Sequence, residues 1–111
     1  MGVVRMIKLV EFLVKKPELT HDEFAEYWLE THSPLAADLP GVKRYVTSVP
    51  TDPEKSEYDG VLELYFEDQQ ALSAAFDSEI GETVLSDAEE FIEVGAGPSM
   101  IVEETVQVDR T

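Results

Sequence analysis

Apolar residues dominate residues 3–14 on both sides of an extended chain. Because strand side chains alternate between two faces, Val10 and Phe12 fall on one face while Leu9 and Leu13 fall on the other. An antiparallel sheet in a lone small domain needs only one apolar face. The pattern therefore predicts a first strand that other apolar groups cover on both faces.

A capping box marks the start of the next element. The Thr20 hydroxyl is placed to accept a hydrogen bond from the backbone N–H of Glu23, whose carboxylate reaches back. Apolar and aromatic side chains then recur every three or four residues, which predicts the buried stripe of an amphipathic helix. These side chains are Phe24, Trp28, His32, Leu35 and Leu39. We expect Pro34 to interrupt the helix, with Ser33 as the N-cap of a short second helix.

Further strands and helices complete the pattern. Three more segments are predicted to be strands, residues 43–49, 58–66 and 100–108. Asp68 is the expected N-cap of a helix. Ser86-Asp87-Ala88-Glu89 matches a second capping box and predicts another helix start. The order is βαββαβ, the split βαβ arrangement of ferredoxin-like folds. The predicted class is α+β, with a four-stranded antiparallel sheet and helices on one face.

One face of this sheet would remain bare in a single copy of the chain. Monomers rarely expose a contiguous apolar patch larger than a few hundred Å². We therefore expect two copies to pair face to face as a homodimer. The predicted unit is a single domain over residues 6–111 that follows a short extension of residues 1–5, since Met6 is itself a possible start of the structured chain.

Charge narrows the range of partners. The 111 residues suit one core, and 24 acidic residues against eight Lys and Arg give a net charge of −16. Nucleic acids and anionic membrane surfaces are held by clustered cations, so neither is an expected partner. Counterions in concentrated salt would screen the repulsion between the carboxylates. We therefore interpret the high negative charge as adaptation to a salt-rich cytoplasm. An ordinary acidic protein is the alternative.

The chain contains no cysteine, which excludes disulfides, a thiolate nucleophile and a Cys-ligated metal, and which is compatible with an intracellular protein. Residues 3–10 carry two cations and no small-residue cleavage site, so we expect no signal peptide. No stretch approaches the ~20 apolar residues of a membrane span. The expected location is the cytoplasm.

Two segments resemble a known family. Trp28-Leu29-Glu30-Thr31-His32-Ser33-Pro34-Leu35, followed by Gly41-Val42-Lys43-Arg44-Tyr45, is similar to the W-x-x-x-H-x-P-L and G-x-x-x-Y core of EthD-like domains. The likeness extends over roughly residues 6–108. It implies a dimeric α/β barrel with a pocket in each subunit between sheet and helices. The family is associated with degradation of ethers and lactones, lactone isomerisation, and polyketide-type dehydration or decarboxylation.

By position, the resemblance places the family's helix histidine at His32 and its second-strand tyrosine at Tyr45. Relatives that isomerise lactones bring further histidines or cysteines into the pocket, whereas this chain has only His21 and His32. We therefore do not expect this chain to transfer protons by the same set of residues as those relatives.

His32 and Tyr45 are the candidate catalytic residues. Imidazole can act as a general acid or base near neutral pH, and a phenol can donate a hydrogen bond to a substrate carbonyl. The alternatives are a buried histidine bound to a backbone carbonyl or to Ser33, and a tyrosine that only packs in the sheet. A zinc site needs three or four ligands, so a metal at His32 is not expected, and no cofactor is predicted.

Trp28, Glu63 and Tyr65 are the candidate substrate-binding residues. Trp28 and Tyr27 lie on different helix faces, so we expect at most one of them to line the core, and a core position is the more typical one for Trp28. Glu63 and Glu11 each interrupt an apolar strand face, where a carboxylate inside a barrel would have a raised pKa and could act as a base. We favour the alternative that both carboxylates are solvated.

The leading hypothesis is a cofactor-independent enzyme, or an auxiliary catabolic protein, that acts on a small hydrophobic carbonyl or lactone compound. His32 would move a proton while Tyr45 polarises the carbonyl. The alternatives are a non-catalytic small-molecule-binding dimer and a cofactor-free, monooxygenase-like oxidoreductase. A histidine and a phenol that converge on an enclosed cavity favour the enzyme, and a wholly apolar cavity favours the binder.

Overall fold

A single antiparallel sheet organises the chain in the computed structural model, which describes residues 6–111. Its strands are β1 (Ile7–Leu13), β2 (Arg44–Ser48), β3 (Gly60–Phe66) and β4 (Ser99–Glu103). They lie in the order β2-β3-β1-β4, with every neighbouring pair antiparallel. The predicted α+β, ferredoxin-like architecture is confirmed. The extension predicted at residues 1–5 lies outside the described residues.

The first helical segment follows β1. It consists of α1 (His21–Glu26), a π-helical turn (Tyr27–His32) and α2 (Ser33–Ala37). The capping box predicted at its start is present. The N–H of Glu23 donates to Thr20 Oγ1 at 3.1 Å, and the N–H of Thr20 donates to Glu23 Oε1 at 2.9 Å.

The predicted break at Pro34 is wrong. Ser33 has helical backbone angles (φ −60°, ψ −36°), and its N–H donates to the carbonyl of Trp28, five residues back. This wider turn accommodates a proline, which has no N–H to donate and crowds the carbonyl one turn earlier. The Ser33 side chain is therefore not an N-cap, and it hydrogen-bonds to Tyr45 instead.

The second helical segment contains α3 (Gln69–Asp77) and α4 (Glu79–Ala88). Asp68 caps α3 as predicted, because its Oδ1 accepts from the backbone N–H three residues later at 2.8 Å. Ser78 caps α4 in the same way, with its hydroxyl accepting from the N–H of Gly81 at 3.0 Å. The chain thus turns from α3 into α4 through a single residue.

The helix start predicted at residues 86–89 is wrong. These residues lie at the end of α4, whose cap is Ser78, and the chain then leaves the helix so that Phe91 and Ile92 become buried. A capping box is a local pattern, and here the tertiary packing of Phe91 and Ile92 decides where the helix ends.

The helices pack on one face of the sheet, which we call the inner face. It presents Leu9, Glu11 and Leu13 from β1 and Leu62, Leu64 and Phe66 from β3. One buried cluster forms where α2, α3 and α4 meet the sheet, and a second forms around the aromatic residues of the first helical segment. The largest fully buried side chains are Trp28, Phe24, Phe66, Phe91 and Leu13.

The opposite, outer face also carries apolar residues, as the sequence predicts, beside a polar region that contains Lys8, Arg44, Glu63 and Tyr65. A shallow groove of about 290 Å³ lies along β1 and β4, and Met100 in its wall is 64% exposed. The apolar residues of this groove are Val10, Phe12, Pro98, Met100 and Val102. In the described part of the chain, no helix has the length and apolarity that a bilayer crossing requires.

Candidate functional site

A cavity of about 70 Å³ lies between the inner face of the sheet and the helices. Its walls are mostly apolar, and within residues 6–111 the lining side chains with polar atoms are Glu11, Trp28, His32 and Tyr45. Leu85 and Val94 also line the cavity, and they are 50% and 59% exposed. The wall of the cavity therefore extends to the protein surface at these two residues.

His32 is buried in the cavity wall, 5% exposed, at the end of the π-helical turn. Its Nδ1 atom lies 2.8 Å from Oδ2 of Asp87, and its ring lies 4.8 Å from the ring of Phe91. Because a carboxylate only accepts, Nδ1 carries a proton and donates, so in the neutral imidazole Nε2 is the acceptor. The partner of His32 is thus neither a backbone carbonyl nor Ser33.

Asp87 holds two side chains of the first helical segment. Its Oδ1 atom accepts from the Tyr27 hydroxyl at 2.8 Å, while Oδ2 accepts from His32. Burial, together with the hydrogen bond to Asp87, raises the pKa of Tyr27 to about 12, so this phenol remains a donor at neutral pH. Both carboxylate oxygens are engaged, which fixes the orientation of the imidazole.

The sequence interpretation missed Asp87 because it assigned this residue to a helix cap. It also expected at most one of Tyr27 and Trp28 to reach the core. Tyr27 is half-buried and packs on Phe91 with ring centroids 5.2 Å apart, while Trp28 is completely buried. The available sequence signal was only an aspartate between two small residues. Such a pattern is too common to identify Asp87 as the partner of His32.

Tyr45 projects from β2 toward Trp28 and Ser33. Its hydroxyl oxygen accepts from Nε1 of Trp28 at 3.2 Å and lies 3.1 Å from Oγ of Ser33. When Ser33 donates in that pair, the phenolic O–H is free to donate into the cavity. Burial raises the pKa of Tyr45, and the hydrogen bonds from Ser33 and Trp28 offset only part of this effect. The structure thus brings together three predicted site residues, His32, Tyr45 and Trp28.

Glu63 and Tyr65 lie on the outer face, across the sheet from His32. Lys8 Nζ contacts Glu63 Oε1 at 2.7 Å and Glu104 Oε2 at 2.9 Å, and the Tyr65 hydroxyl donates to Glu104 Oε2 at 2.6 Å. These carboxylates, Glu63 foremost, hold the pKa of Lys8 well above its usual value. The structure does not bring Glu63 and Tyr65 to the inner cavity, so any contact they make with a substrate would be on the outer face.

Glu11 occupies the inner face instead, where it lines the cavity. It is half-buried, and this burial raises the pKa of its carboxyl group. The favoured sequence interpretation, a solvated carboxylate, does not describe this position. Within residues 6–111 no group of three or more His, Asp or Glu side chains is placed to hold a metal ion.

The sheet order and the position of the helices define a ferredoxin-like α+β protein with a cavity between its two layers. The EthD domain model matches residues 16–95, and the chain belongs to the EthD family. Among curated proteins, none matched the chain.

Solved structures agree with this assignment. An ethyl tert-butyl ether D (EthD) family protein of Bacillus halodurans C-125 is 27% identical and superposes with a TM-score of 0.75, covering 90% of this chain and 99% of its own. A DABB family protein with a ferredoxin-like fold from Mesorhizobium loti is 16% identical, with a TM-score of 0.68 and coverages of 94% and 99%. A dimeric ferredoxin-like protein of Thermobifida fusca is 16% identical, with a TM-score of 0.67 and coverages of 92% and 92%. The last two similarities concern the fold alone.

Proposed function

We propose that this EthD-family protein is a cofactor-independent enzyme, or an auxiliary catabolic protein, that acts in the cytoplasm on a small hydrophobic carbonyl or lactone compound. One observation carries the proposal. The imidazole of His32 is held by Asp87 at 2.8 Å in the wall of an apolar cavity that Tyr45 also lines. A buried imidazole with one nitrogen fixed and the other free is suited to proton transfer.

The reaction this arrangement supports is a proton shift beside a carbonyl group. His32 Nε2 takes a proton from the carbon next to the ligand carbonyl, while the Tyr45 hydroxyl donates a hydrogen bond to the carbonyl oxygen. Asp87 stabilises the imidazolium that forms. The imidazolium, whose proton can exchange with water, then delivers one proton to the far end of the conjugated system, so the ligand is isomerised without net gain or loss of atoms. The dry walls strengthen each of these interactions.

The proposal includes a homodimer formed through the outer faces. The groove along β1 and β4 gives each copy an exposed apolar surface, and pairing would bury it. The Thermobifida fusca protein of the same fold is described as dimeric. The inner cavity lies on the other side of the sheet, so each copy would keep its own site.

A non-catalytic binder is the second candidate, and the mostly apolar cavity wall favours it. Such a protein would need the cavity and the Trp28–Tyr45 contact but no proton transfer by His32. It would retain a ligand without changing it.

Isomerisation of α-angelica lactone tests the proposal, because this five-membered lactone moves its double bond by losing a proton beside the carbonyl group and gaining one at the far end of the double bond. Conversion in D2O is followed by proton NMR, which also records deuterium uptake. We expect the protein to catalyse both events and the H32N variant to lose them. Asparagine at position 32 keeps a donor for Asp87 and lacks Nε2, together with the ring that packs on Phe91.

The chain has just two histidines, so H21N is the matched control and should remain fully active. Full activity in H32N would overturn the mechanism. If the lactone shifts the indole resonance of Trp28 in the wild-type protein but is not converted, the result would favour the non-catalytic binder.

A further inference from the structure

Glu11 is the one Asp, Glu, Lys or Arg that lines the inner cavity among the described residues. It lies in the middle of β1, between Leu9 and Leu13 on the same face. Its backbone neighbours across the sheet are Leu62 in β3 and Ser99 in β4. A charged side chain in this row is exceptional, because the neighbouring positions in β1 and β3 are apolar and half-buried or buried, and only Ser99 in β4 is polar and exposed.

The carboxylate of Glu11 has no hydrogen bond or ion pair with any described residue, and Glu63 provides the contrast. The two glutamates are on neighbouring antiparallel strands, but Glu63 points to the outer face and is bound by Lys8 at 2.7 Å. Partial burial of a carboxylate without a protein partner costs free energy, and a donor that enters the cavity, whether water or a ligand, reduces this cost. Burial raises the pKa of Glu11 for the same reason.

We propose that Glu11 binds a hydroxyl group of the ligand, which makes the ligand class a small hydroxy-carbonyl compound. The ligand's carbonyl faces Tyr45 and His32, and its hydroxyl donates to Glu11 from the side of β1. This inference rests on the proposed function, because it concerns the same cavity. It adds a preference for one class of substrate that neither His32 nor Tyr45 explains.

A hydroxyl group fits better than an ammonium group. A hydroxyl has one proton to donate, and Glu11 accepts it. An ammonium has three, and the remaining cavity wall offers too few acceptors for them, since it is almost wholly apolar apart from His32 and Tyr45. A cavity of about 70 Å³ also limits the enclosed part of the ligand to a few non-hydrogen atoms.

Matched probes test the preference without any turnover. Acetoin (3-hydroxybutanone) and butanone differ by one hydroxyl group, and both carry a carbonyl. Binding is followed through the indole N–H resonance of Trp28, the single tryptophan of the chain, which lies in the cavity wall. We expect acetoin to bind about tenfold more tightly than butanone, as a hydrogen bond to a charged acceptor allows.

The E11L variant should lose this preference and bind butanone at least as well as the wild type does. E18L removes an exposed glutamate and serves as the control that keeps the preference. Circular dichroism checks that each variant is folded. Equal affinities of the wild type for the two probes, an unchanged preference in E11L, or no indole shift with either probe would each overturn the inference.

These outcomes are independent of the lactone assay. Lactone isomerisation that depends on His32, combined with equal binding of the two probes, would remove the role of Glu11 and leave the proposed function standing. A clear preference for acetoin that E11L abolishes, without isomerisation, would support the role of Glu11 in a binding protein.

Discussion

His32 and Asp87 are 55 positions apart in the sequence and 2.8 Å apart in the structure, where their hydrogen bond joins the first helical segment to the end of α4. The bond occupies Nδ1 of the imidazole, which lines the cavity. It also links a candidate catalytic residue to the packing of two helices, so chemistry and stability depend on the same contact.

Replacing Asp87 with asparagine should disturb the orientation of His32 more than the fold. The amide can donate to Nδ1, which favours the opposite tautomer of the imidazole. We expect isomerisation of the lactone probe to fall by roughly 10- to 100-fold, by analogy with other orienting partners of histidine. Nitrogen-15 chemical shifts of His32 report the tautomer directly. E90Q, on an exposed position of the same region, is the control, and identical shifts in D87N and the wild type would contradict the prediction.

Removing the charge of Glu11 should stabilise the protein. E11Q takes an unpaired carboxylate out of the cavity wall, and we expect its free energy of unfolding at neutral pH to rise by up to about 1 kcal/mol. E63Q should instead lower that free energy by about 1 kcal/mol, because Glu63 is paired with Lys8 at 2.7 Å. Urea unfolding measures both. A destabilised E11Q would show that the carboxylate contributes favourably to the fold.

The effect of Glu11 on stability should depend on pH. Its pKa is raised in the folded protein, so the folded state binds a proton more readily than the unfolded state does. The free energy of unfolding should therefore rise as the pH falls through the pKa that Glu11 has in the folded protein. This rise is complete once the pH is below the ordinary pKa of glutamate. The advantage of E11Q over the wild type should accordingly be largest near neutral pH and shrink in acid. An advantage that stays constant across this range would contradict the assignment.

Gly60 allows Trp28 to lie against the start of β3. A Cβ atom at position 60 would lie 2.5 Å from Cζ3 of the indole, which is too close for the ring to stay in place. We expect G60A to cost about 1–3 kcal/mol of stability and to weaken the hydrogen bond from Trp28 to Tyr45. Thermal unfolding and the indole N–H resonance measure the two effects. Unchanged values for both would mean that the ring has space to move.

A charge on the outer face should disrupt the proposed homodimer. V10E places a carboxylate in the apolar groove of each copy, and we expect sedimentation equilibrium to shift from dimer to monomer. L29E adds the same charge at a position that is 43% exposed on the first helical segment, and it should remain dimeric. A wild-type chain that sediments as a monomer near neutral pH in moderate salt would contradict the prediction.

The net charge of −16 predicts a response to salt. Counterions screen the repulsion between neighbouring carboxylates, so the melting temperature should rise between low salt and molar potassium chloride. A melting temperature that does not rise would favour an ordinary acidic protein over one adapted to a salt-rich cytoplasm.

Local patterns predicted those parts of the fold that local interactions determine. The capping box at Thr20 and the cap at Asp68 form as expected, and strict alternation located β1 and β3 within a few residues. The same kind of pattern failed at residues 86–89. The end of α4 depends on the burial of Phe91, which no short motif encodes.

The candidate site was only partly predictable for a related reason. His32 and Tyr45 lie in segments that resemble the family core, so both were found from the sequence. Asp87 was missed because its contact with His32 spans 55 positions. Alternation along β1 places Glu11 on the same face as Leu9 and Leu13. It cannot tell which face of the sheet the helices will cover, so the position of Glu11 in the cavity wall follows only from the structure.

The π-helical turn takes up one more residue than an α-helical turn does, because its hydrogen bond spans five residues instead of four. The helix on both sides therefore keeps one face toward the protein interior, which buries Phe24 and His32 together. In an ordinary α-helix one residue corresponds to about 100° of rotation. A further residue inserted after the exposed Glu30, with the wide turn already formed, would rotate Phe24 by that angle relative to His32, so the lengthened chain could keep its aromatic anchor or an Asp87-bound histidine, but not both.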